Sequence, residues 1–514
     1  MRERTPQFKK NLGYPAASGV ERSSGIKYLM NGQIIGSRVF DAFGQQDFAN
    51  WSGDRNPMHL DPVYARRTQA GDIVVHGMHA MLWALDLLAR HGLLDPARCT
   101  LTARFEKFIY VGDEVSARLT TTGKRHAIEL RTGGLRVATL SVLPVDARAA
   151  STLSAATTTP VPQEPAEWRL EELAGLTGSL VPAGTSETYI AAFPALAAWL
   201  GGETVRTLAA LSTLVGMVCP GLHSIFSRLS VIVEPKETVA PLAYTVRRVQ
   251  PVLRLATVDI DGGNVAGSIE AFVRHPPIRQ PSLRELADRA LPISCRGDVV
   301  LILGGSRGLG ELTAKLLALA GAEVIITYAR GHAEAAAVAE EIVAGGGRCT
   351  IMRYDADVPA QQQLGGVAGT VSHAYYFPTP QIFRTRGLAF DSEALARFTA
   401  IYSAAFADIA TMLAYETRPV RLFYPSSAAI DDRPNGAAEY VMAKAAGEIL
   451  CGYLNRSWNH IDIRHRRLPR LLTDQTSTVL PVATADAVAI LSEVAIDLHA
   501  TRHGDSEGGK LNRH

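Results

Sequence analysis

The pattern that most constrains the fold lies in the C-terminal part of the chain, where short apolar runs alternate with helix-like stretches. The run Val299–Leu303 precedes a glycine-rich turn and a helix over 312–320, and the run Glu323–Tyr328 precedes a helix around 333–344. Strands that alternate with helices in this way pair in parallel, because each helix returns the chain across the sheet. The pattern therefore predicts a doubly wound α/β domain.

Two stretches without apolar periodicity divide the chain of 514 residues. Residues 147–167 are rich in Ala, Ser, Thr and Pro, and residues 275–296 contain three prolines before a short polar helix-like run. Such stretches are typical of linkers. We therefore expect three domains of ordinary size, over residues 30–148, 168–275 and 296–490.

Composition excludes several classes of protein. The chain is 47% hydrophobic and 20% charged, which is typical of a globular protein, and its net charge of +2 provides no strong field for nucleic acid or membrane. The five cysteines are far apart, so we expect no disulfide framework and no metal site, and a reducing cytoplasm fits best. The start of the chain has no signal-peptide core. The uncharged stretch 207–227 contains Cys219-Pro220-Gly221, which favours a buried helix over a membrane span.

The run 48–62, FANWSGDRNPMHLDP, is punctuated by Gly and Pro and predicts a loop with fixed turns. In it, the Asp54 carboxylate and the His59 imidazole can converge on one water and perform general acid–base catalysis. Downstream, VVHGM at 74–78 begins an apolar helix, whose first N–H groups can polarise a carbonyl oxygen. These features indicate addition or removal of water at a carbonyl-activated substrate. The alternative is that Asp54 and Asn56 cap a turn and His59 packs locally.

The whole phrase resembles the MaoC-like (R)-specific enoyl-CoA hydratases, whose hallmark S-G-D-x-N-P-x-H precedes a V-H-G-M helix start; the match covers about 35–148. The resemblance implies a hot-dog fold, in which an antiparallel sheet wraps a helix. It also implies that Asp54 and His59 are the acid–base pair, that Asn56 positions them, and that the Gly77 amide binds the thioester oxyanion. The reaction would be syn hydration of a trans-2-enoyl thioester, or dehydration of a (3R)-hydroxyacyl thioester.

The second segment lacks this phrase, but it also pairs an apolar helix with later strand-like runs, at 242–249, 253–260 and Val265–Val273. Hydratases of the family often act as paired hot-dogs with one degenerate half. We therefore expect a double hot-dog in which the second copy completes an acyl tunnel. His223, beside the apolar helix, could be a second catalytic group, although a lone histidine there is more often structural.

Two further motifs lie in the third segment. The turn GGSRGLG at 304–310 follows a strand and precedes a helix, and its glycines allow close backbone approach to a phosphate. Tyr440 and Lys444 are four residues apart and share a helix face. A nearby ammonium favours the phenolate, so Tyr440 could exchange a proton with a substrate oxygen, and the Ser427 hydroxyl could hold the same oxygen.

Together these pieces resemble the short-chain dehydrogenase/reductase family over about 298–488, and the gap between Tyr440 and Lys444 resembles that of ketoreductases. The resemblance implies a Rossmann-like sheet, a bound nicotinamide cofactor, and contact of Lys444 with the cofactor ribose. The residues expected to bind the cofactor are Gly304, Ser306, Arg307, Gly308, Leu309, Gly310, Arg330, Asp355, Tyr440 and Lys444.

The charges near the second strand favour NADPH over NADH. No acidic residue ends the run Glu323–Tyr328 to hold a ribose 2′-hydroxyl, whereas Arg307 and Arg330 could pair with a 2′-phosphate. Asp355, in preference to Asp357, is expected to contact the adenine.

The third segment also departs from the family. SHAY at 372–375 replaces the usual N-N-A-G, Ser403 falls near the place of the relay asparagine, Arg470 replaces a glycine, and Leu303 replaces a threonine. Because Ser427, Tyr440 and Lys444 are all present, we expect a working reductase; an inactive one is the alternative.

The sequence thus predicts a multidomain α+β and α/β enzyme that reduces a 3-ketoacyl thioester with NADPH and dehydrates the (3R)-hydroxyacyl product, in fatty-acid or polyketide-like biosynthesis. One alternative is catabolic hydration followed by oxidation with NAD, and another is an acyl-carrier-binding module with a silent reductase. Expected partners are an acyl-CoA or acyl-carrier-protein thioester and a second copy in a homodimer. Arg66 and Arg67 could meet phosphates, but paired arginines more commonly form a solvated face.

Overall fold

The computed structural model describes residues 31–93, 98–145, 158–235, 240–382, 390–416, 418–480 and 482–500. Within them the front part of the chain forms one large, mostly antiparallel sheet. Its strands are β1 (Gln33–Val39), β2 (Cys99–Phe105), β3 (Glu114–Thr122), β4 (Arg125–Thr132), β5 (Leu135–Pro144), β6 (Thr158–Thr159), β7 (Thr177–Leu180), β8 (Ser224–Val233), β9 (Leu242–Gln250), β10 (Leu255–Asp261) and β11 (Val265–Val273).

These strands form an 11-stranded sheet in the order β1-β3-β4-β5-β2-β8-β11-β10-β9-β7-β6. The order β1-β3-β4-β5-β2 is repeated by β7-β9-β10-β11-β8, and the two halves join where β2 pairs antiparallel with β8. Each half is the sheet of one hot-dog, which confirms the double hot-dog expected from the sequence.

Each hot-dog has a central helix whose residues are mostly buried, as expected of a helix wrapped by a sheet. These are α3 in the first half and α6 in the second, and a π turn, Leu214–Val218, extends α6. The helices of the front part are α1 (Ala42–Ser52), α2 (Pro62–Ala65), α3 (Gly77–Arg90), α4 (Ser186–Ala192), α5 (Pro194–Leu200) and α6 (Gly202–Thr213).

The uncharged stretch 207–227 is a buried helix end, as predicted. It runs through α6 and its π turn, breaks at Cys219-Pro220 and then enters strand β8. Among the described residues, no helix combines the length and the apolar character needed to cross a membrane.

The back part forms a six-stranded, entirely parallel sheet in the order β14-β13-β12-β15-β16-β17. This is the strand order of a Rossmann-like doubly wound fold, which confirms the prediction. The strands are β12 (Val299–Leu303), β13 (Glu323–Tyr328), β14 (Arg348–Arg353), β15 (His373–Tyr376), β16 (Val420–Ser427) and β17 (Ile461–Leu468). The helices are α7 (Leu283–Leu286), α8 (Gly308–Leu319), α9 (His332–Ala344), α10 (Ala360–Ala368), α11 (Ser392–Thr399), α12 (Phe406–Ala414), α13 (Ala429–Asp432), α14 (Ala438–Ser457) and α15 (Ala487–His499).

The first expected linker carries structure in its second half. Residues 146–157 lie outside the described part of the chain, but strand β6 pairs with β7, and the Leu222 N–H donates to the Ala166 oxygen at 2.8 Å. Residues 158–167 are therefore part of the second hot-dog rather than a free connection.

Candidate active sites

The loop that carries Asp54 and His59 is shaped by short-range features of its sequence. Gly53, directly after helix α1, has φ +82°, a left-handed conformation that lets the chain turn sharply. Asn56 then caps the single 3-10 turn Pro57–His59, because its side-chain oxygen accepts a backbone N–H of that turn at 3.1 Å. The two turns bring the carboxylate and the imidazole to the same side of the loop.

Asp54 is buried, and both hot-dogs hold its carboxylate. One oxygen accepts the Asn56 N–H at 3.2 Å, and the other accepts the hydroxyl of Ser212, from helix α6, at 2.6 Å. Gly216, in the following π turn, lies so close that a Cβ there would overlap the carboxylate. Burial raises the pKa of Asp54, while the charge of His59 and the two hydrogen bonds oppose part of that rise. A carboxyl group in such a site is suited to act as an acid.

His59 lies beside this carboxylate. Its Nδ1 lies 2.8 Å from the Val74 carbonyl oxygen, which can only accept, so Nδ1 carries a hydrogen and Nε2 is the ring nitrogen outside that contact. An Asp54 oxygen and ring nitrogens of His59 and His76 all lie within 4.8 Å of one another. The convergence expected of Asp54 and His59 is therefore present in the structure.

His76 belongs to this site, although the sequence analysis treated it only as part of a helix start. Its ring stacks on His59 with 3.9 Å between ring centres, and its Nε2 lies 3.1 Å from the Asp54 backbone oxygen. Burial, followed by the neighbouring His59 and His79, lowers the pKa of His76 well below its usual value. His76 is thus a neutral ring that packs against His59. Its position directly before Gly77 is the sequence feature that could have identified it as part of the site.

Asn56 ties the loop to the second hot-dog. Its Nδ2 donates to the Gly216 carbonyl oxygen at 2.9 Å and to that of Leu222 at 3.3 Å. The side chain of Asn56 therefore holds the loop against the second hot-dog, while its backbone N–H contacts Asp54.

A cavity opens beside Asp54 and His59. Gly77, the first residue of helix α3, lies on its wall, so the positive end of that helix faces the cavity. The rings of Phe105 and Phe226, one from each hot-dog, meet edge to face at 5.2 Å. The other apolar side chains on its wall include Met58, Val74, Met78, Phe108, Ile109, Val137, Val215 and Ile225.

His223 is placed elsewhere. Its Nε2 lies 3.0 Å from a Glu167 carboxylate oxygen, and it is not among the residues that line the cavity. The structure thus favours the structural interpretation of His223 over the catalytic one.

The glycine-rich turn lies at the carboxyl end of β12, between β13 and β15, where the strand order reverses. Gly304 has φ +75°, and a Cβ on Gly310 would overlap the Gly304 carbonyl oxygen, so the turn is as tight as the motif requires. This is where doubly wound folds bind dinucleotides. The turn and the first residues of α8 hold Gly304, Ser306, Arg307, Gly308, Leu309 and Gly310. This tight turn, followed directly by the start of α8, fits the backbone that doubly wound folds use to hold a nicotinamide dinucleotide.

Tyr440 and Ser427 are brought together, the first by helix α14 and the second by the end of β16. A hydrogen bond between their side chains lowers the pKa of Tyr440, but burial outweighs it and raises that pKa overall. The expectation that a nearby ammonium would favour the phenolate is therefore wrong for this structure, because burial sets the direction of the Tyr440 pKa.

Lys444 is fully enclosed beneath the pair. Its Nζ donates to the Pro425 oxygen at 2.7 Å and lies 3.8 Å from the centre of the Tyr402 ring. Burial lowers the pKa of Lys444 to about 7. Tyr402 and Ser403 share a π turn, Ala400–Ala405, and the Ser403 Oγ is buried without a hydrogen-bond partner. An aromatic ring thus packs on the lysine near the place where the family has its asparagine.

The charged residues expected around the cofactor lie at the same edge of the sheet. Arg307 Nη1 lies 3.0 Å from an Asp474 carboxylate oxygen, and Arg330 is exposed just after β13. Asp355 follows β14, where its carboxylate accepts the Asp357 N–H at 3.2 Å.

Comparison with known families gives one match in the front part of the chain and one in the back part. The family model described as a MaoC like domain matches residues 45–141, and the model of the short chain dehydrogenases matches residues 298–375.

Individual relatives divide in the same way. The (R)-specific enoyl-CoA hydratase of Aeromonas caviae is 33% identical over 107 residues, which cover 20% of this chain and 78% of the relative. A 3-oxoacyl-[acyl-carrier-protein] reductase of Synechocystis is 47% identical over 49 residues, which cover 10% of this chain and 20% of the relative. An uncharacterized oxidoreductase of Methylorubrum extorquens is 40% identical over 65 residues, or 13% of this chain and 26% of the relative. The chain thus spans 26% or less of the length of these two oxidoreductases.

Solved structures similar to the back part include two complexes. A short chain dehydrogenase of Burkholderia cenocepacia with NADP has 23% identity and a TM-score of 0.35, over 40% of this chain and 91% of the other. The angucycline C-6 ketoreductase LanV with bound NADP has 22% identity and a TM-score of 0.36, over 40% of this chain and 90% of the other.

Proposed function

Because this chain belongs to the MaoC-like hydratase and dehydratase family and also carries a short-chain dehydrogenase domain, we propose that it is a bifunctional enzyme of acyl thioesters. The back domain reduces a 3-ketoacyl thioester with NADPH, and the front domain dehydrates the (3R)-hydroxyacyl product to a trans-2-enoyl thioester. The observation that carries the proposal is the convergence of Asp54, His59 and the start of α3 on one apolar cavity. Fusion of the two domains raises the local concentration of the shared intermediate.

In the dehydration, the thioester oxygen accepts the Gly77 N–H, where the helix terminus stabilises the negative charge of the enolate. His59 Nε2 removes the proton from C2, and protonated Asp54 gives its proton to the hydroxyl on C3. The C2–H and C3–O bonds break, the C2–C3 double bond forms, and water leaves. Both groups act from one face, which fits syn elimination. Asn56 and Ser212 position Asp54 throughout.

The second hot-dog supports this chemistry without an acid–base pair of its own. It supplies the Ser212 hydroxyl and half of the apolar wall, including Phe226. We therefore propose that it completes the acyl tunnel.

Ser212→Ala tests that contribution. We expect dehydration to slow about 10-fold, since a hydrogen bond that positions Asp54 is lost. The same bond lowers the pKa of Asp54. Its loss raises that pKa, so the fall in dehydration rate on the alkaline side shifts to higher pH. Rates measured from pH 5 to 9 provide the check.

The matched control is Ser230→Ala, at an exposed serine of β8 in the same hot-dog. An unshifted pH profile in Ser212→Ala would show that Ser212 is structural only.

In the reduction, the Ser427 hydroxyl holds the 3-keto oxygen, and the Tyr440 hydroxyl donates a proton to it. A nicotinamide cofactor bound by the glycine-rich turn between β12 and α8 would supply the hydride to C3. The raised pKa of Tyr440 keeps its hydroxyl protonated, so the proton is present to be donated.

Lys444 has a stability cost that its replacement should reveal. The pKa of Lys444 is about 7 in the folded protein, whereas its ordinary value is 10.5. Burial of Lys444 therefore lowers the free energy of unfolding at every pH at which the lysine is protonated in the unfolded chain. Lys444→Met should therefore stabilise the reductase domain by roughly 1–4 kcal/mol at pH 7. The advantage of the variant should shrink as the pH rises from 7 toward 10, because the native lysine then becomes neutral in both states. Urea unfolding at several pH values measures it.

Lys124→Met, at an exposed lysine, is the control and should change neither stability nor its pH dependence. A destabilised Lys444→Met at pH 7 would contradict the assignment of a costly buried ammonium.

The direct test of the function is mass spectrometry of products from 3-ketoacyl-CoA and carrier-bound 3-ketoacyl substrates with NADPH. We expect both the hydroxyacyl and the enoyl thioester. Stopped-flow affinities for NADPH and NADH separate the biosynthetic from the catabolic direction, and a strong preference for NADH would favour the catabolic one. Absence of turnover on every thioester would favour a carrier-binding module. The expected homodimer is checked by sedimentation.

A further inference from the structure

Four arginines meet where the first hot-dog contacts the reductase domain; we name Arg66, Arg67, Arg307 and Arg330 the arginine cluster. Arg66 and Arg67 directly follow helix α2 of the first hot-dog, and Arg307 donates from Nη1 to the Arg66 backbone oxygen at 3.0 Å. The side chains of Arg66 and Arg67 are only 15% and 30% exposed. The expectation that this pair forms a solvated face is therefore wrong.

The cluster carries more positive charge than its acidic neighbours balance. Glu334, on helix α9, forms an ion pair with Arg66 and lies 3.7 Å from Arg67. Asp474 lies 3.5 Å from Arg67 and 3.0 Å from Arg307. Three of the guanidinium groups thus share two carboxylates, and the charge of Arg330 also acts on Arg66.

Two further features of Arg66 favour the binding of an anion. Its Nε is buried without a hydrogen-bond partner. Its pKa is lowered to about 10, first by burial and then by the charges of Arg307, Arg67 and Arg330. A buried guanidinium that three others repel would be stabilised by an added negative charge.

The place of Arg66 identifies the kind of anion. Gly331, directly after Arg330, is packed so tightly that a Cβ there would overlap Arg66 Nη2. The front-domain guanidinium therefore rests on the backbone just beyond the carboxyl end of β13. In a doubly wound fold this position faces the adenosine ribose of a dinucleotide.

We infer that Arg66 and Arg67, supplied by the hydratase half, complete with Arg307 and Arg330 the binding site for the ribose 2′-phosphate of NADPH. The inference rests on the proposed cofactor. A phosphate monoester has close to two negative charges at neutral pH, which matches the excess of the cluster, and its oxygens suit bidentate guanidinium contacts. The reductase would then take its cofactor specificity partly from the other enzyme of the fusion.

The experiment is calorimetric binding of 2′,5′-ADP, 3′,5′-ADP and 5′-AMP to the full chain. 2′,5′-ADP carries the ribose 2′-phosphate of NADPH, and 3′,5′-ADP carries the ribose 3′-phosphate of coenzyme A. 5′-AMP has neither of these phosphates. We expect 2′,5′-ADP to bind tightest. Arg66→Gln should weaken 2′,5′-ADP about 10-fold to 100-fold, as loss of a charged hydrogen-bonding partner does, and should leave 5′-AMP unchanged. Arg66→Lys should restore part of the affinity.

Arg118→Gln, at an exposed arginine of β3, is the matched control and should change nothing. Thermal melting of Arg66→Gln, together with its unchanged 5′-AMP affinity, establishes that the site is folded. Unchanged 2′,5′-ADP affinity in Arg66→Gln overturns the inference, and so does tighter binding of 3′,5′-ADP that depends on Arg66. If the native chain binds neither NADPH nor 2′,5′-ADP, the proposed cofactor itself fails.

Discussion

Asp54→Asn should abolish dehydration and leave ketoreduction intact. The asparagine keeps the size of the side chain and can still accept the Ser212 hydrogen bond, but it has no proton to give to the leaving hydroxyl. Loss of a general acid lowers rates by about 10²–10⁴-fold, and we expect a loss of roughly 10³-fold. The measurement is conversion of a (3R)-hydroxyacyl thioester to the enoyl product, followed by its absorbance.

The reductase rate of the same preparation is the internal control. A 3-ketoacyl thioester with NADPH should give the hydroxyacyl product at the native rate, and that product should accumulate. Folding should not suffer, because the substitution removes a carboxylate whose burial is unfavourable. Dehydration at more than a tenth of the native rate would exclude Asp54 as the acid.

Tyr440→Phe should have the opposite effect: reduction is lost and dehydration is retained. The ring contacts that hold Tyr440 against Phe398 and Tyr402 remain, so only the hydroxyl that bonds Ser427 is removed. Without that proton donor, we expect NADPH consumption to fall by about 10²–10⁴-fold. The decrease of nicotinamide absorbance with a 3-ketoacyl thioester measures it.

The binding of NADPH to Tyr440→Phe distinguishes chemistry from cofactor loss and should stay within a few-fold of native. The dehydratase rate of this variant should equal that of the native chain. If the variant loses both reactions together, the two centres are not independent and the proposal of separate sites is wrong. If it loses neither, the reductase domain works without its tyrosine, or is silent.

Local sequence was enough to find the acid–base loop, because its geometry depends on neighbours in the chain. Gly53 and Asn56 set the two turns through contacts within a few residues, so the approach of Asp54 to His59 is readable from one short phrase. The same is true of the tight turn at Gly304 and of the shared helix face of Tyr440 and Lys444.

Local sequence did not reveal the partners that determine how these groups behave. Ser212, whose hydroxyl donates to Asp54, is 158 residues away from it in the sequence. Tyr402, whose ring packs on Lys444, lies in a π turn that no sequence motif marks. The direction of the Tyr440 pKa was wrong because helical spacing places a lysine near a tyrosine but does not say how deeply the tyrosine will be buried.

Sequence by itself thus determined the two folds and the residues that we propose do the chemistry, since strand–helix alternation and turn motifs are encoded over short distances. Tertiary structure alone decided that the second hot-dog holds Asp54 and that Arg66 meets the glycine turn of the other domain. Burial and long-range contact set the pKa values and the balance of charge, and both depend on segments that are far apart in the chain and meet only when it is folded.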